Sequence, residues 1–534
     1  MHNTIIIPPL ESYVAYENTL LPPNARQRVE SGKTEPYNLS ERLCANSGEM
    51  RLTPTNRLWE VCSVIQPNWS AFEQYVSETM EEHKIPGMAV GVSANGETIY
   101  EKGFGVRDRQ TGESVDPDTV FGIASVSKSF TTMAIMQLVD QGKVSLYDPV
   151  TKHVPGFRIK TVHPMTKITV HHLMSHTAGL PPLPGLYYAM KQSMEGYPKW
   201  DESQQTPNPA LAKKCVPPLE RFDDYLAYLA AEEVEMLGQP GEYFSYSNDC
   251  YCALGALIEH VTGQNYYDYM QEHLFRPICM QRTTFSADAI SGWPNVTSLY
   301  FSNKNREVCD VPRWQRLGAY DAGGGIKSSI RDLLKYLRVY VQDGFTPGSP
   351  VVSKEGIHAV RTPVYEIGRG IYYGYGLQVT PDYAGDCLVE HGGSLTGVAS
   401  NVGYATKAKV AVAVLTNLSG APAADIWLRA MNTALGLGPH MRRSIEPEFH
   451  ATTEQLERLC GTYTSGEGTR ATVFLEEGIP MFETQGEKFA CRASDRCHLV
   501  FVQRGQQRVA KFYLDDSGQA WAMFYGLRML RRNG

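Results

Sequence analysis

The residues FGIASVSKSF (121–130) contain the one S-x-x-K pattern of the chain and open an apolar stretch that continues to Gly142. The stretch has few helix breakers and predicts a buried helix. Residues three apart share a helix face, so Lys128 would lie beside the Ser125 hydroxyl, at a helix start that favours negative charge. Because a buried lysine with a lowered pKa can take a serine proton, the pattern predicts covalent acyl transfer on Ser125. Such a short pattern also occurs by chance.

A second motif, Y-S-N, runs from Tyr246 to Asn248. It follows a Pro-Gly turn and precedes apolar residues at helical spacing that end at Gly263, so it is expected on a loop that caps a helix. A phenol there can relay a proton between nucleophile and leaving group, and the Asn248 carboxamide can orient the lysine or the acyl group. A second Y-x-N match at 16–18 has no predicted helix after it, so we interpret it as a match without a functional role.

A third motif runs from His391 through a glycine pair that includes Gly393 to Ser394, ahead of the apolar strand pattern at 410–417. Paired glycines let a backbone approach a ligand closely. The Ser394 N–H, together with the Ser125 N–H, would form an oxyanion hole. Taken alone, the motif fits equally an ordinary glycine turn beside a solvent-exposed histidine.

The order S-x-x-K, Y-S-N, H-G-G resembles the serine β-lactamase and penicillin-binding protein superfamily, in its class C-like branch of esterases, D-aminopeptidases and transesterases. The segments 85–92 and 168–181 are similar to a core strand and to a histidine-containing segment of that family, and the resemblance covers roughly residues 70 to 435. It implies an α+β fold: an antiparallel sheet flanked by helices, with an all-helical subdomain. A small C-terminal β-barrel-like domain, similar to a lipocalin-like module, would follow.

The resemblance also implies roles for the site residues. Ser125 would be the acylated nucleophile, Lys128 and Tyr246 would share the general base and acid work, and Asn248 would position the acyl amide or the lysine. His391 stands where these families usually carry a lysine that grips a substrate carboxylate. Because histidine is mostly neutral near pH 7, it is a poorer partner for a carboxylate than lysine, and esters, thioesters or amides without that group are expected.

Three functions follow from these residues. The first is a serine hydrolase that releases its acyl-enzyme to water. The second keeps the chemistry but passes the acyl group to an alcohol or amine, as transesterases of natural-product pathways do. The third is a non-catalytic binding protein on the same fold. The substrate and its leaving group stay open.

Other chemistries fit the sequence poorly. The G-x-S-x-G elbow of α/β-hydrolases is absent. His172 and His176 have a zinc-ligand spacing, but Leu173 replaces the glutamate of that motif, so packing and hydrogen bonding in the core are favoured. No C-x-x-C pair occurs. We therefore expect no metal and no cofactor.

The composition and net charge of the chain limit the classes of partner that it is expected to bind. The chain has 534 residues, 42% of them hydrophobic, which supports a sizeable core. A net charge of −7 with both signs scattered argues against nucleic acid or an anionic membrane, leaving a small-molecule acyl substrate. Eleven dispersed cysteines suggest free thiols, and the first ten residues lack a basic signal region, so a cytoplasmic location is expected. The oligomeric state stays open.

Three parts are predicted along the chain: an N-terminal extension (1–60), the catalytic domain (61–438) and a small antiparallel β domain (450–534). A Pro-rich insertion at 181–218 would lie over the site mouth, either as a lid forming an apolar acyl pocket or as a surface loop packing its own aromatics. Its aromatic and sulfur-containing side chains are Tyr187, Tyr188, Met190, Tyr197 and Trp200.

Overall fold

The computed structural model describes residues 67–161, 167–191, 193–194, 214–503 and 505–533. Residues 65–534 form one compact unit, so the predicted boundaries at 438 and 450 stay predictions. The predicted extension at 1–60 lies outside the described residues, as do Tyr197 and Trp200 of the insertion. Within the described part, no helix has both the length and the apolar character needed to cross a membrane.

The secondary structure alternates helices and strands up to about residue 434 and is then almost entirely strand. The described helices are α1 (Trp69–His83), α2 (Ser127–Asp140), α3 (Val150–His153), α4 (Val170–Met174), α5 (Gly185–Lys191), α6 (Phe222–Ala231), α7 (Asn248–Thr262), α8 (Tyr266–Met270), α9 (Ala287–Ser291), α10 (Asp321–Gly324), α11 (Ile330–Val341), α12 (Lys354–Val360), α13 (Ala423–Ala434) and α14 (Thr453–Glu457). The strands are β1 (Gly87–Ala94), β2 (Glu97–Gly105), β3 (Phe121–Gly122), β4 (Leu299–Ser302), β5 (Val308–Val311), β6 (Lys327–Ser328), β7 (Tyr365–Gly368), β8 (Ile371–Tyr373), β9 (Gln378–Tyr383), β10 (Asp386–Leu395), β11 (Val398–Ala405), β12 (Val410–Thr416), β13 (Gly461–Thr464), β14 (Arg470–Glu476), β15 (Ile479–Thr484), β16 (Glu487–Ala490), β17 (Arg492–Asp495), β18 (His498–Gln503), β19 (Gln506–Leu514), β20 (Ala520–Tyr525) and β21 (Arg528–Arg532).

An eight-stranded antiparallel sheet, in the order β2-β1-β12-β11-β10-β9-β8-β7, forms the first core. Every residue of β12 is buried, because helices cover both faces. Side chains alternate along a strand, so Ala411, Ala413 and Leu415 join the cluster of α11, while their neighbours pack with Trp427 of α13. The unbroken apolar run of β12 in the sequence follows from this two-sided burial.

The helical part is organised around α7, which packs against α2, α4, α6 and α10. Eleven consecutive residues of α7, Asn248–Ile258, are buried, and so are the first twelve residues of α2. Two helices buried nearly all round hold their N-terminal turns rigidly against each other. These turns carry the S-x-x-K and Y-S-N motifs.

The C-terminal strands form a nine-stranded antiparallel sheet in the order β16-β15-β14-β13-β21-β20-β19-β18-β17. Its ends approach each other where β16 lies against β18, so the sheet is nearly closed. Aromatic rings fill the interior, with Phe482 stacked on Phe501 at 4.4 Å between centroids. The predicted α+β class, with a helix-flanked antiparallel sheet, a helical part and a barrel-like C-terminal sheet, is confirmed.

Candidate active site

Ser125 lies in a single 3-10 turn, Ala124–Val126, directly before α2. Ala124 has a φ of +47°, a left-handed conformation that is unfavourable for any residue with a Cβ. The sequence predicted Ser125 at the start of the helix, and the structure places it in the 3-10 turn directly before that helix. The strained turn presents the Ser125 side chain, which is only partly buried, to a cleft.

Lys128 is fully buried, and its Nζ makes three contacts. The distances are 2.9 Å to Asn248 Oδ1, 2.7 Å to the Gly323 carbonyl oxygen and 3.4 Å to Ser125 Oγ. Asn248 is the first residue of α7, so this bond joins the two buried helices at their N-termini. The predicted pairing of Ser125, Lys128 and Asn248 is therefore present as a cluster of contacts.

Burial lowers the pKa of the Lys128 ammonium to about 7, and the Arg528 guanidinium adds to this effect. A neutral amine has two N–H donors and one lone pair. Asn248 Oδ1 and the Gly323 carbonyl take the two donors, so the lone pair is left for the Ser125 proton. The arrangement suits a general base for Ser125.

The Tyr246 side chain is 4% exposed, and its ring centroid lies 4.8 Å from Lys128 Nζ. Its hydroxyl is buried and makes no hydrogen bond within 3.5 Å to any described group. Burial raises the pKa of the phenol, while the nearby Ser125 hydroxyl and Arg528 act in the opposite direction. The phenol is thus a protonated group near Ser125, and its hydroxyl is buried without a hydrogen-bond partner among the described residues.

His391 is 2% exposed, and both of its ring nitrogens are engaged within the protein. Nδ1 donates to the Gly392 carbonyl at 2.6 Å, so Nε2 accepts from the Tyr373 hydroxyl at 3.0 Å. Burial, with a smaller effect of Lys128, lowers the pKa of His391 to about 3. The ring is neutral, as the sequence predicted, but it has no free nitrogen for a substrate, so the predicted substrate contact is not supported.

Gly393 and Ser394 lie on β10, which runs alongside the nucleophile turn. A Cβ on Gly393 would come within 2.1 Å of the Ile123 carbonyl oxygen and 2.4 Å of Ser400 Oγ, so only glycine permits this approach. Ser400 Oγ itself donates to the Ile123 carbonyl at 2.8 Å. Ser394 is exposed and lines the cleft with Ser125. Its part in an oxyanion hole stays a prediction.

Three further groups surround these residues, and the sequence patterns missed two of them, the Gly323 carbonyl and Arg528. The Gly323 carbonyl is backbone and leaves no side-chain signature. His176, 1% exposed, accepts from the Ser247 N–H through Nδ1 at 3.2 Å and packs on the Tyr246 ring at 4.3 Å, which fits the core role predicted for it. Arg528, from the C-terminal sheet, lies with its guanidinium carbon 4.6 Å from the Tyr246 ring centroid.

The cleft that contains Ser125 also reaches the insertion. Leu186, Tyr187 and Met190 of α5 line it, together with Asn248. Residues 195–213 lie outside the described chain, so the choice between lid and surface loop stays open. In the described ranges, no cluster of three or more histidine, cysteine or acidic side chains is suited to a metal ion.

The sequence is similar to one known protein family and to several characterised proteins. A family sequence model described as Beta-lactamase matches residues 72–435. Protein flp of Staphylococcus aureus (strain MW2) is 30% identical over 210 residues, which are 39% of this chain and 37% of that protein. The chain thus spans little more than a third of that relative. Penicillin-binding protein 4 of Amycolatopsis lactamdurans is 26% identical over 397 residues, covering 72% of this chain and 94% of that protein.

Among solved structures, the octameric penicillin-binding protein homologue from Pyrococcus abyssi aligns with a TM-score of 0.62 and 28% identity. The alignment covers 87% of this chain and 99% of that one, so it extends into the C-terminal sheet.

The pKa of Lys128 predicts how activity depends on pH. Only the neutral amine accepts the Ser125 proton, and the lowered pKa of about 7 means that this form prevails just above neutral pH. We expect kcat/KM for an ester without titratable groups to rise about tenfold per pH unit below this value and to level off above it. Lys327→Gln, which alters another buried lysine, should keep the inflection. A flat profile from about pH 5 to 9 would contradict the assignment.

The close approach at Gly393 predicts the effect of adding one methyl group. In Gly393→Ala, either β10 or the nucleophile turn must move, because the nearest atom is a backbone oxygen at 2.1 Å. A displacement of about 1 Å costs roughly 100-fold in rate, so kcat on an activated ester should fall by that order. Gly438→Ala, where a Cβ meets no atom within 4 Å, is the matched control. Equal kcat in the two variants would show that the contact does not matter.

Proposed function

The chain belongs to the beta-lactamase family, and on that premise we propose that it is a serine hydrolase that forms an acyl-enzyme on Ser125. The family includes serine hydrolases and esterases, and the proposal concerns the reaction of this particular chain. The substrate class is an ester, thioester or amide of a small-molecule acyl group. The reaction uses no cofactor.

One observation carries the proposal: the arrangement around Lys128 Nζ. Two neutral acceptors, Asn248 Oδ1 and the Gly323 carbonyl, take its protons at 2.9 and 2.7 Å, and Ser125 Oγ is its third neighbour at 3.4 Å. Neither acceptor is a carboxylate, so no anionic partner within hydrogen-bond distance among the described residues stabilises the charged form of the amine. Catalytic contacts of this kind are often long in a free enzyme and shorten when substrate binds.

The reaction proceeds in two halves. Lys128 takes the Ser125 proton as Oγ forms a bond to the substrate carbonyl carbon, and the tetrahedral intermediate expels the leaving group. Tyr246 gives its phenolic proton to the leaving atom and recovers one from the Lys128 ammonium. A water molecule then attacks the acyl carbon and loses a proton to the same pair, which gives a second tetrahedral intermediate. The bond from the acyl carbon to Ser125 Oγ breaks, the pair returns the proton to Oγ, and the acid leaves.

The neutral His391 supports substrates that do not depend on a cation at its position. Its pKa of about 3 leaves it uncharged at any physiological pH, unlike a lysine. The part of the cleft formed by α5 is apolar, with Leu186 and Met190 among its lining residues, which suits an apolar acyl group.

A reducing compartment such as the cytoplasm is part of the proposal. The nine cysteines within the described residues are free thiols, and four of them are neither exposed nor fully buried. Thiols that persist unpaired favour a compartment where disulfides do not form.

The first test is covalent labelling with a fluorophosphonate probe, which reacts with activated serines. The wild-type protein should be labelled on Ser125, and Ser125→Ala should lose the label entirely. Ser127→Ala is the matched control, since this buried neighbour is used structurally, with its Oγ accepting from the Ile326 N–H at 3.1 Å. Unlabelled wild-type protein would favour the non-catalytic alternative, and a labelled Ser125→Ala protein would place the nucleophile elsewhere.

The second test separates hydrolysis from acyl transfer. With a p-nitrophenyl ester as donor and an alcohol or amino acid as added acceptor, free acid should stay the main product, because the partly exposed Ser125 is open to water. The ratio of free acid to new ester or amide is read by mass spectrometry. A predominance of the acceptor product would overturn hydrolysis in favour of the transferase alternative.

A further inference from the structure

A tight hairpin of the C-terminal sheet reaches the candidate site. Strands β20 and β21 are joined by Gly526 and Leu527, with Tyr525 paired to Arg528. Both loop residues have positive φ, +57° and +65°, as a two-residue hairpin of this hand requires. Glycine adopts this conformation freely, whereas Leu527 is strained in it. Glu477 and Gln485, in two other tight hairpins of this sheet, share the conformation, so the turn type sets it.

The hairpin is bonded to the segment that carries Tyr246. The Tyr246 N–H donates to the Leu527 carbonyl at 2.9 Å, and the Met529 N–H donates to Ser245 Oγ at 3.2 Å. Phe524 of β20 packs in one apolar cluster with Tyr246. The hairpin therefore has a fixed position relative to the phenol, and so does the first residue of β21.

That residue is Arg528. Its side chain is 21% exposed, lies against the Tyr246 ring and lines the cleft that contains Ser125. Its Nε donates to Glu467 Oε2 at 3.0 Å, which fixes the plane of the guanidinium. Its two terminal nitrogens have no protein acceptor among the described residues. By contrast, Arg531 on the same strand has its terminal nitrogens on Glu235 and the Met236 carbonyl.

The other basic groups close to Tyr246 are neutral or nearly so. His391 and His176 are uncharged, because burial lowers the pKa of both rings. Burial likewise lowers the pKa of Lys128 to about 7, and its nitrogen is surrounded by protein groups. Among the described basic groups that contact the Tyr246 ring or lie beside it, Arg528 is thus the one that keeps its charge. Its Nε pairs with the Glu467 carboxylate, and its two terminal nitrogens are left as donors.

We propose that Arg528 binds a carboxylate of the substrate, so that the C-terminal sheet supplies the anion receptor that His391 cannot. A guanidinium fork held at Nε suits a carboxylate, which it can meet with two parallel N–H···O bonds. The inference rests on the proposed acyl-enzyme function and narrows its substrate class to acyl compounds that carry a carboxylate. It reverses the expectation, drawn from His391 alone, that substrates without a carboxylate are favoured.

The carboxylate can belong to the acyl part or to the leaving group. Three chromogenic esters separate the two sources: p-nitrophenyl butyrate is neutral, mono-p-nitrophenyl glutarate carries the carboxylate on the acyl side, and 3-carboxy-4-nitrophenyl butyrate carries it on the leaving side. The measured quantity is kcat/KM for each charged ester divided by kcat/KM for the neutral one. This ratio cancels a general loss of activity.

In Arg528→Gln we expect the ratio to fall about 10- to 100-fold for one of the two charged esters, as the loss of a charged hydrogen-bonded pair implies. The ester that is affected identifies the source. The ratio for Arg528→Lys should lie between those of Arg528→Gln and the wild type, because lysine keeps the charge without the fork.

The matched control, Arg531→Gln, removes an arginine of the same strand and should keep the wild-type ratio. Unchanged ratios in Arg528→Gln would overturn the proposal; an equal loss on all three esters would assign Arg528 to Tyr246 instead.

Binding gives a second measurement that does not depend on turnover. Calorimetric titration of glutarate into the Ser125→Ala protein should show at least about tenfold weaker binding when Arg528→Gln is added. Equal binding with and without Arg528 would overturn the inference. A wild-type protein that hydrolyses none of the esters, yet binds glutarate through Arg528, would instead contradict the proposed function and leave the receptor standing.

Discussion

The site depends on a lysine buried without an acid partner. Lys128 has no exposed surface, and its contacts are a carboxamide oxygen, a backbone carbonyl and a hydroxyl. A charge in such surroundings is costly, so the neutral amine is favoured and becomes a base near neutral pH. The helices that provide these contacts, α2 and α7, are themselves buried almost all round. The fold thus holds an amine of lowered pKa beside Ser125 and shields that amine from water.

Sequence patterns predicted this centre because its key contact is local. Ser125 and Lys128 are three residues apart on one helical turn, so the spacing alone implied their contact. The strands of both sheets were also predictable where burial on one or both faces leaves an apolar pattern, as for β12. Strand β18 (His498–Gln503) likewise lies in the segment 450–534, for which antiparallel strands were predicted.

The groups that the sequence did not predict are either backbone atoms or side chains from residues that lie far apart in the sequence. The Gly323 carbonyl is invisible to any side-chain motif, and the Tyr373 hydroxyl that engages His391 belongs to a different strand. Met529 and Ser245, which join the hairpin to the Tyr246 segment, are 284 residues apart. Only the folded chain brings Arg528 to the site, and it changes the interpretation of His391.

The C-terminal sheet contributes through a hairpin rather than through its interior. Its core is packed with aromatic rings, Phe482 and Phe501 among them. It is attached to the Tyr246 segment by two hydrogen bonds, from the Tyr246 N–H to the Leu527 carbonyl and from the Met529 N–H to Ser245 Oγ. The Arg528 side chain also lies on the Tyr246 ring. The C-terminal sheet and the helical part therefore both contribute to the candidate site, in which the sheet helps to hold the Tyr246 phenol near Ser125.

The protonation state of Lys128 is the most direct measure of this account. Protein grown with lysine labelled with ¹³C at Cε gives one NMR resonance per lysine, and Lys128→Arg identifies the one in question. The account predicts that this resonance titrates with a midpoint near pH 7. A Lys128 resonance that keeps its ammonium shift up to about pH 9, as an ordinary exposed lysine does, would contradict it.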